Sequence, residues 1–177
     1  MDTTKNTAIT LAALYTYTDW EQRPRGRLDV DPDDLMVRGS TVPGAGLGVF
    51  AGRDLAAGTV LGVYPGVLHP NAYRWVKTKG EQVPASQAYV WTLANGGLID
   101  PTDENGIVPD LLQRWPWPGI RPVLARINEP PPGRDVNVDT NEEGNTVTFY
   151  VNRYIEQGDE LFLDYGTKYD RGGYGGG

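Results

Sequence analysis

Residues 44–66 read GAGLGVFAGRDLAAGTVLGVYPG, a glycine-rich turn followed by short apolar runs. Glycine lets the backbone turn tightly or approach a ligand closely. The turn lacks the Lys-Ser/Thr pair of a phosphate-binding loop, and strand-like residues follow it where a dinucleotide-binding fold needs a helix. Taken alone, this stretch predicts a tight turn between two strands.

The composition restricts the chemistry that the chain can perform. With 177 residues and a mass of 19.4 kDa, it fits one compact domain with a terminal extension. It has no cysteine and a single histidine, His69, which leaves no disulfide scaffold, no thiolate nucleophile and no Cys- or His-based metal cluster. We therefore expect no bound metal, and chemistry carried by hydroxyls, carboxylates, amides and backbone groups.

The charge of the chain indicates which partners it can attract. A net charge of −7 argues against direct binding to DNA or RNA, which needs a basic stripe to displace counterions. Between Arg126 and Asp170 there are four Lys or Arg residues against ten Asp or Glu residues. This stretch is either a surface that attracts cationic peptides or an ordinary solvated acidic face.

Short apolar runs punctuated by Gly and Pro predict a mainly β fold. The strands predicted from Leu35 to Val67 are followed by an amphipathic helix at 70–80. Strands at AYVWTL and LID flank Asn95-Gly96-Gly97, which predicts a hairpin with a type I′ turn. VTFYVN and DELFLDY predict two further strands around a turn at 155–158. No βαβ rhythm appears, so a doubly wound parallel sheet is not expected.

We predict three regions along the chain. Residues 1–34 form an extension, with a short helix or irregular arm at 6–22 and a linker at 23–34. Residues 35–170 form the domain, and 171–177 form a flexible Gly-rich tail. Within the domain, the two tryptophans of RWPWPGIRP are expected to pack on the core or its rim, with a recognition surface as the alternative. No apolar run reaches membrane-spanning length and no secretory pattern opens the chain, so we expect a soluble intracellular protein without membrane contact.

Four segments follow one another in the order GAGLGVFAGRDLAAGTVLGVYPG, AYVWTLANGGLIDPT, LARINEPPPGRDVNV and VNRYIEQGDELFLDYG. In this order they resemble SET-domain protein lysine methyltransferases. GAGLGVFAGRDLAAGTVLGVYPG resembles the family's opening, with its Gly-x-Gly turn, Arg-Asp-hydrophobic element and Tyr-x-Gly. AYVWTLANGGLIDPT resembles the middle hairpin, and LARINEPPPGRDVNV resembles the Asn-His-Ser segment with its following Asn. VNRYIEQGDELFLDYG resembles the closing "I-x-x-G-E-E-L-x-x-D-Y-G". Two departures are the Asn128-Glu129-Pro130 sequence in place of Asn-His-Ser and the lack of cysteines for a post-domain zinc cluster.

The resemblance implies a fold, a cofactor and a set of site residues. The fold is a SET-like β-clip of short antiparallel sheets with a few short helices, whose C-terminal segment threads beneath a preceding loop as a pseudoknot. The cofactor is S-adenosylmethionine, with S-adenosylhomocysteine as product. Its binding residues would be Ala45, Gly46, Leu47, Asn128 and Glu129.

The resemblance also implies an activity, the methylation of a lysine side chain in a protein or peptide, with histone tails as one option. Tyr165 would be the catalytic tyrosine, and Tyr64 would assist it by walling the channel for the substrate amine. Tyr169 or Tyr174 could close over the substrate or the adenine. Glu160 and Asp164, which also suggest acid/base hydrolysis, are better explained as structural hydrogen bonders or exposed carboxylates.

Two other classes of function remain open from the residues. A catalytically inactive SET-like module would bind basic peptides without turnover, which the Glu129 departure favours. A small β-rich interaction protein would use its Gly-rich segments only as turns. The first would bind cofactor or peptide without forming product, and the second would have no cofactor affinity.

Overall fold

The structure, a computed structural model, describes residues 26, 28–111 and 121–166. The helix expected at 6–22, the tryptophans Trp115 and Trp117, and the tail at 171–177 lie outside these residues. None of the helices in the described ranges combines the length and the apolar character that a bilayer crossing requires.

Three small antiparallel sheets make up the described fold, as the mainly β prediction requires. The first pairs β1 with β2, the second has the order β3-β8-β7, and the third has the order β4-β6-β5. The strands are β1 (Leu35–Gly39), β2 (Leu47–Ala51), β3 (Val60–Val63), β4 (Val67–His69), β5 (Trp91–Thr92), β6 (Leu98–Asp100), β7 (Val138–Glu143) and β8 (Thr146–Val151).

The helical segments of the described residues are short, and all except the turn at Pro32–Asp34, which precedes β1, lie between strands. The predicted helix at 70–80 is an α-helical turn, α1 (Ala72–Trp75), which continues as a π-helical turn at Val76–Gly80. Asn71 caps α1 by accepting a hydrogen bond from the Arg74 backbone N–H. In the described part of the chain, 3₁₀ turns lie at Pro32–Asp34, Pro84–Tyr89 and Val123–Arg126.

The predicted hairpin at Asn95 is present, but its turn type was predicted wrongly. β5 and β6 pair antiparallel with Thr92 opposite Leu98, so five residues connect them. Gly96 has a positive φ of 86°, whereas Asn95 does not, and a type I′ turn needs both. The longer loop closes by a bond from the Gly96 N–H to the Leu93 carbonyl, and the Asn95 side chain accepts from the Gly97 N–H.

The DELFLDY segment is extended but does not form the regular strand that we predicted. Glu160 bridges Phe50 antiparallel, Phe162 bridges Asn128 parallel, and Leu163 bridges Val138 parallel. Because the partner changes along the segment, no continuous ladder develops. The segment lies between residue 128 and residues 137–138, an arrangement that agrees with the predicted threading of the C-terminal segment.

The core is formed by the inner faces of all three sheets and the C-terminal segment. Its largest fully buried side chains include Phe50, Phe149 and Phe162, and Leu55 bridges Ile155 within it. Residues ahead of Leu35 also join the sheet system, since Leu28 bridges Gly62 and the Asp29 N–H donates to the Leu61 carbonyl. The start of β2 and the threaded segment both line one cleft.

Candidate active site

A surface cleft of about 170 Å³ lies where the glycine-rich turn, the end of the Pro84–Tyr89 turn, the 125–128 segment and the C-terminal segment meet. Small side chains line much of it, which leaves backbone atoms accessible. The lining residues are Ala45, Gly46, Leu47, Ala88, Tyr89, Ala125, Arg126, Asn128 and Tyr165. The cleft therefore brings together five of the residues predicted for the site from distant parts of the sequence.

The glycine-rich turn is held in shape by its own backbone. Gly44 and Gly46 have positive φ angles of 79° and 72°, a region that favours glycine. The Ser40 N–H donates to the Gly46 carbonyl at 2.9 Å, and the Ala45 N–H donates to the Val42 carbonyl at 3.2 Å. Because the Ala45 N–H already donates within the turn, Ala45 contributes to the cleft by lining it and not by offering this N–H to a ligand.

Asn128 links the turn to the C-terminal segment. Its side chain is 8% exposed, and its Nδ2 donates to the Leu47 carbonyl at 3.0 Å and to Glu160 Oε1 at 3.4 Å. Its backbone carbonyl accepts from the Leu163 N–H at 2.9 Å. Asn128 also forms a parallel bridge to Phe162 and lines the cleft.

Glu160 lies behind Asn128 and is only 2% exposed. Its Oε1 accepts from the Ser40 hydroxyl at 2.6 Å, and its Oε2 accepts from the Thr41 backbone N–H at 2.8 Å and the Thr41 hydroxyl at 2.5 Å. The buried carboxylate thus joins the 40–41 segment to Asn128. This agrees with the structural hydrogen-bonding role predicted for Glu160.

Tyr165 lies in the wall of the cleft with its phenol oriented by the backbone. Its hydroxyl donates to the Ile127 carbonyl at 2.7 Å, and its ring packs against the core cluster. Its backbone N–H donates to Glu129 Oε1 at 3.0 Å. Both ends of the residue are therefore tied to the 127–129 segment.

Glu129, a predicted cofactor-binding residue, lies next to the lining residue Tyr165. It is not among the residues that line the cleft, and its carboxylate supports the Tyr165 backbone. The Glu at this position of the motif therefore strengthens the link between the two segments that form the site.

Tyr64 lies behind the cleft wall and is not among its lining residues. It is 6% exposed, and its ring stacks on Phe149 with the centroids 5.5 Å apart. Its hydroxyl donates to the Tyr89 carbonyl at 2.5 Å. Tyr64 thus contacts the backbone of a lining residue, whereas Tyr169 and Tyr174, which were predicted to close over the substrate or the adenine, lie outside the described residues.

Our sequence reasoning missed Tyr89 and Arg126 as residues of the cleft. Tyr89 ends the 3₁₀ turn just before β5, and the AYVWTL motif that contains it was interpreted only as a strand. Arg126 precedes Ile127 by one residue, and its Nη2 donates to the Val108 carbonyl at 2.7 Å. Asp110 lies 3.5 Å from the same guanidinium group. The available signal was that both residues lie inside segments that resemble the family, AYVWTLANGGLIDPT for Tyr89 and LARINEPPPGRDVNV for Arg126.

The class of protein is defined by its fold and its site. The fold is a mainly β domain with a threaded C-terminal segment, and the site is a cleft between that segment and a glycine-rich turn. The SET domain family model matches residues 46–166. The chain therefore belongs to the SET-domain family, a family of S-adenosylmethionine-dependent lysine methyltransferases. Comparison with curated protein sequences gives no significant match.

Solved structures with a similar fold come from polycomb repressive complex 2. An active complex in the stimulated state has a TM-score of 0.57 and 21% identity over 77% of this chain and 15% of that one. A ctPRC2 in an autoinhibited conformation bound to S-adenosylmethionine has a TM-score of 0.57 and 20% identity over 79% and 16%. The Chaetomium thermophilum complex bound to GSK126 has a TM-score of 0.56 and 19% identity over 79% and 17%. This chain spans less than a fifth of the length of each.

Proposed function

We propose that this protein transfers a methyl group from S-adenosylmethionine to the ε-amine of a lysine in a protein or peptide. The observation that carries the proposal is the convergence of Gly46, Asn128 and Tyr165 on one cleft. These residues come from three separate segments of the chain, and each belongs to one of the motifs that resemble the family. One structural neighbour is described as bound to S-adenosylmethionine, which supports the same cofactor here.

The residues of the cleft fit such a cofactor. The glycine-rich turn lines the cleft at Ala45, Gly46 and Leu47. The methionine part of the cofactor can lie beside its backbone. Asn128 offers a side-chain amide whose position is set by two hydrogen bonds. When bound, the cofactor supplies a methyl group already activated by its sulfonium, so the protein needs neither a metal nor a nucleophile of its own.

The task left to the protein is to align a neutral amine and to exclude water. Tyr165 suits the alignment, because its hydroxyl donates to the Ile127 carbonyl and an oxygen in that state can accept an N–H from the incoming amine. That contact would direct the nitrogen lone pair toward the methyl group. Tyr89, which also lines the cleft, would form a second aromatic wall.

The amine must lose its proton before it can react. A free lysine has a pKa near 10.4, which at neutral pH disfavours the neutral form by about 4.6 kcal/mol. Burial of the amine between Tyr89 and Tyr165 and the nearby positive sulfonium both lower that pKa. The proton leaves to solvent before the channel closes around the substrate.

The charge of the chain favours a cationic protein segment as substrate. The net charge is −7, and the exposed residues of β7 include Asp139 and Glu143. Histone tails and other lysine-rich segments have the complementary charge. Weaker turnover at higher ionic strength is expected if this attraction assists binding.

The assignment is tested with radiolabelled S-adenosylmethionine and a panel of lysine-containing peptides and proteins, histone tails included. Mass spectrometry of the products should show a mass increase of one or more methyl groups on lysine. Cofactor and peptide binding without product would instead identify a binding module. Absence of cofactor affinity in calorimetry would identify an interaction protein.

The role of Tyr165 is tested by Tyr165→Phe. Removing the hydroxyl should lower the single-turnover methylation rate roughly ten- to a hundredfold, the loss expected for one hydrogen bond to a charged or reacting group. Cofactor affinity measured by calorimetry should change little. Tyr154→Phe, at a tyrosine 57% exposed, is the matched control and should keep the full rate. A full rate in Tyr165→Phe would refute the role assigned to the hydroxyl.

A further inference from the structure

A second cavity, of about 300 Å³, lies where β4 ends and the helical segment at 72–80 begins, and it shares no lining residue with the cleft. Its helical lining residues are three and four positions apart, so they fall on one face of the segment. The second cavity is lined by His69, Pro70, Asn71, Arg74, Trp75 and Thr78. A space of this size holds about ten water-sized groups. It therefore suits a small organic molecule.

Aromatic rings form one side of the second cavity. The ring centroids of His69 and Trp75 lie 6.4 Å apart, with an interplanar angle of 59°. Trp75 is 3% exposed, and its Nε1 already donates to Asp100 Oδ2 at 3.0 Å. The indole therefore offers the cavity carbon surface and no hydrogen bond. Such surfaces favour an apolar, planar group.

The polar groups of the second cavity are mainly donors, since none of its lining residues is acidic. Asn71 Oδ1 accepts from the Arg74 backbone N–H at 2.8 Å, and the Thr78 hydroxyl donates to the Arg74 carbonyl at 2.9 Å. Within the described part of the chain, the NH₂ group of Asn71 and the guanidinium of Arg74 have no acceptor. The cavity therefore suits a ligand group that accepts hydrogen bonds.

Arg74 supplies a cation for which no described residue provides a carboxylate. The two lysines of the same helical segment are both paired, Lys77 with Glu81 and Lys79 with Asp100. In a chain of net charge −7, an unpaired guanidinium beside a cavity favours an anion there. Its planar fork matches the two oxygens of a carboxylate. One cation balances one negative charge, which fits a carboxylate better than a phosphate monoester.

We propose that the second cavity binds a small aromatic carboxylate, with the carboxylate on Arg74 and Asn71 and the aromatic ring against Trp75 and His69. This site is independent of the proposed methyl transfer, because the two cavities have no lining residue in common. Phenylacetate is a suitable probe, because it joins one carboxylate to one aromatic ring and has about ten non-hydrogen atoms, the size that the cavity admits.

The test uses His69, the only histidine of the chain, as a reporter inside the second cavity. In tag-free protein its ring protons give NMR signals that belong to no other histidine. A titration with phenylacetate at fixed pH should shift these signals to saturation. Phenylacetamide, which has the same shape without the charge, should bind about tenfold more weakly or less, the loss expected for a hydrogen bond to a charged group. Acetate should also bind more weakly, because it lacks the ring.

Two variants test the role of the guanidinium. Arg74→Gln should weaken phenylacetate binding about tenfold and leave phenylacetamide binding within about threefold of wild type. Arg74 is exposed and its printed bonds are made by its backbone, so this variant should fold. Lys77→Gln is the matched control: it removes the same charge from the same helical segment, at a residue that does not line the cavity, and should bind phenylacetate as wild type does.

Saturating S-adenosylhomocysteine should leave the phenylacetate titration unchanged, because that compound belongs to the cleft. The inference is overturned if phenylacetate does not shift the His69 signals, or if phenylacetamide binds as tightly as phenylacetate. It is also overturned if Lys77→Gln weakens binding as much as Arg74→Gln, which would indicate only a general effect of charge. Displacement of phenylacetate by S-adenosylhomocysteine would place the probe in the cleft and would equally rule out the second site.

Discussion

At the scale of single residues, Gly48 shows why a position can require glycine without an unusual backbone angle. Its φ lies outside the left-handed region, so alanine is compatible with the backbone. The constraint is instead the space that the Glu160 carboxylate and the Asn128 amide occupy, 2.1 and 3.2 Å from an ideal Cβ. A glycine that is required only for space indicates that the neighbouring atoms of Glu160 and Asn128 hold fixed positions.

Gly48→Ala should therefore destabilise the protein, whereas Gly39→Ala should not. The added methyl group must displace buried atoms, which costs about 1–3 kcal/mol. Gly39 lies in the neighbouring strand β1, and nothing lies within 4 Å of an ideal Cβ there. Urea unfolding of the two variants measures the difference. Equal free energies of unfolding would show that the Glu160 side chain yields easily at this point.

Tyr64 and Tyr165 show what a local motif can and cannot predict about the place of a tyrosine. Tyr165 and Tyr64 both follow apolar runs, and each stands in a recognisable motif, yet only Tyr165 lines the cleft. Tyr64 and the lining residue Tyr89 are 25 residues apart and meet through a hydroxyl-to-carbonyl bond. Local sequence cannot show which of two such tyrosines lines the cleft, because that depends on which strands pair.

At the scale of elements, one buried carboxylate fastens the helical segment to the β4-β6-β5 sheet. Asp100, at the end of β6, is 3% exposed. It accepts hydrogen bonds from Lys79 Nζ at 2.7 Å, Trp75 Nε1 at 3.0 Å and the Thr102 hydroxyl at 2.6 Å. Burial alone raises the pKa of Asp100, but these hydrogen bonds outweigh it and leave the pKa lowered.

Asp100→Asn should lower the free energy of unfolding at pH 7 by about 3 kcal/mol, because it leaves the Lys79 ammonium without its buried counter-charge. A lowered folded-state pKa means that the wild-type stabilisation is present above about pH 3.9, the unfolded value, and is lost as pH falls through the folded value. The variant should therefore show a flatter loss of stability below pH 4. Urea unfolding between pH 7 and pH 3 measures both effects.

Asp135→Asn is the matched control, because its side chain is 86% exposed and faces Arg153 at 3.7 Å. Pairs of this kind contribute about 0–1 kcal/mol. Its pH dependence should follow wild type. An identical acid profile for Asp100→Asn and wild type would contradict the role given to Asp100.

Strand β7 is the element that sequence reasoning missed. Its residues, VDTNEE, are mostly polar and of types depleted in strands, so no local signal predicts it. It forms because β8 supplies a partner along its whole length, from Val138 opposite Val151 to Glu143 opposite Thr146. β8 itself alternates between buried and half-buried residues, and that pattern made it predictable.

At the scale of the whole molecule, the threaded C-terminal segment joins parts of the chain that are far apart in sequence. It contacts β2 at Phe50, the 127–128 segment and the start of β7. Asn137 fastens the threading with its side chain: Nδ2 donates to the Glu160 carbonyl at 2.9 Å, and Oδ1 accepts from the Phe162 N–H at 2.6 Å. The site depends on this arrangement, because both Glu160 and Tyr165 belong to the threaded segment.

Asn137→Ala should destabilise the protein and weaken cofactor binding together. Asn137 is 6% exposed, so its removal leaves a backbone carbonyl and an N–H buried without the partners that they had, at a cost of about 1–3 kcal/mol each. Asn141→Ala, at an exposed residue of β7, is the control and should be nearly neutral. Thermal unfolding with and without S-adenosylhomocysteine measures both properties. A stable Asn137→Ala variant with full affinity would show that the segment stays threaded without this side chain.

The sequence by itself determined the family and the mainly β fold, and it predicted that Gly46, Asn128 and Tyr165 share one site, because these properties are carried by short motifs with a fixed order. The tertiary structure alone decided that Tyr89 lines the cleft in front of Tyr64, that Glu129 supports Tyr165, and that Glu160 holds Asn128. Each of these facts depends on which distant segments lie side by side. Their physical basis is the directionality of hydrogen bonds and the space available between packed segments, neither of which a linear pattern contains.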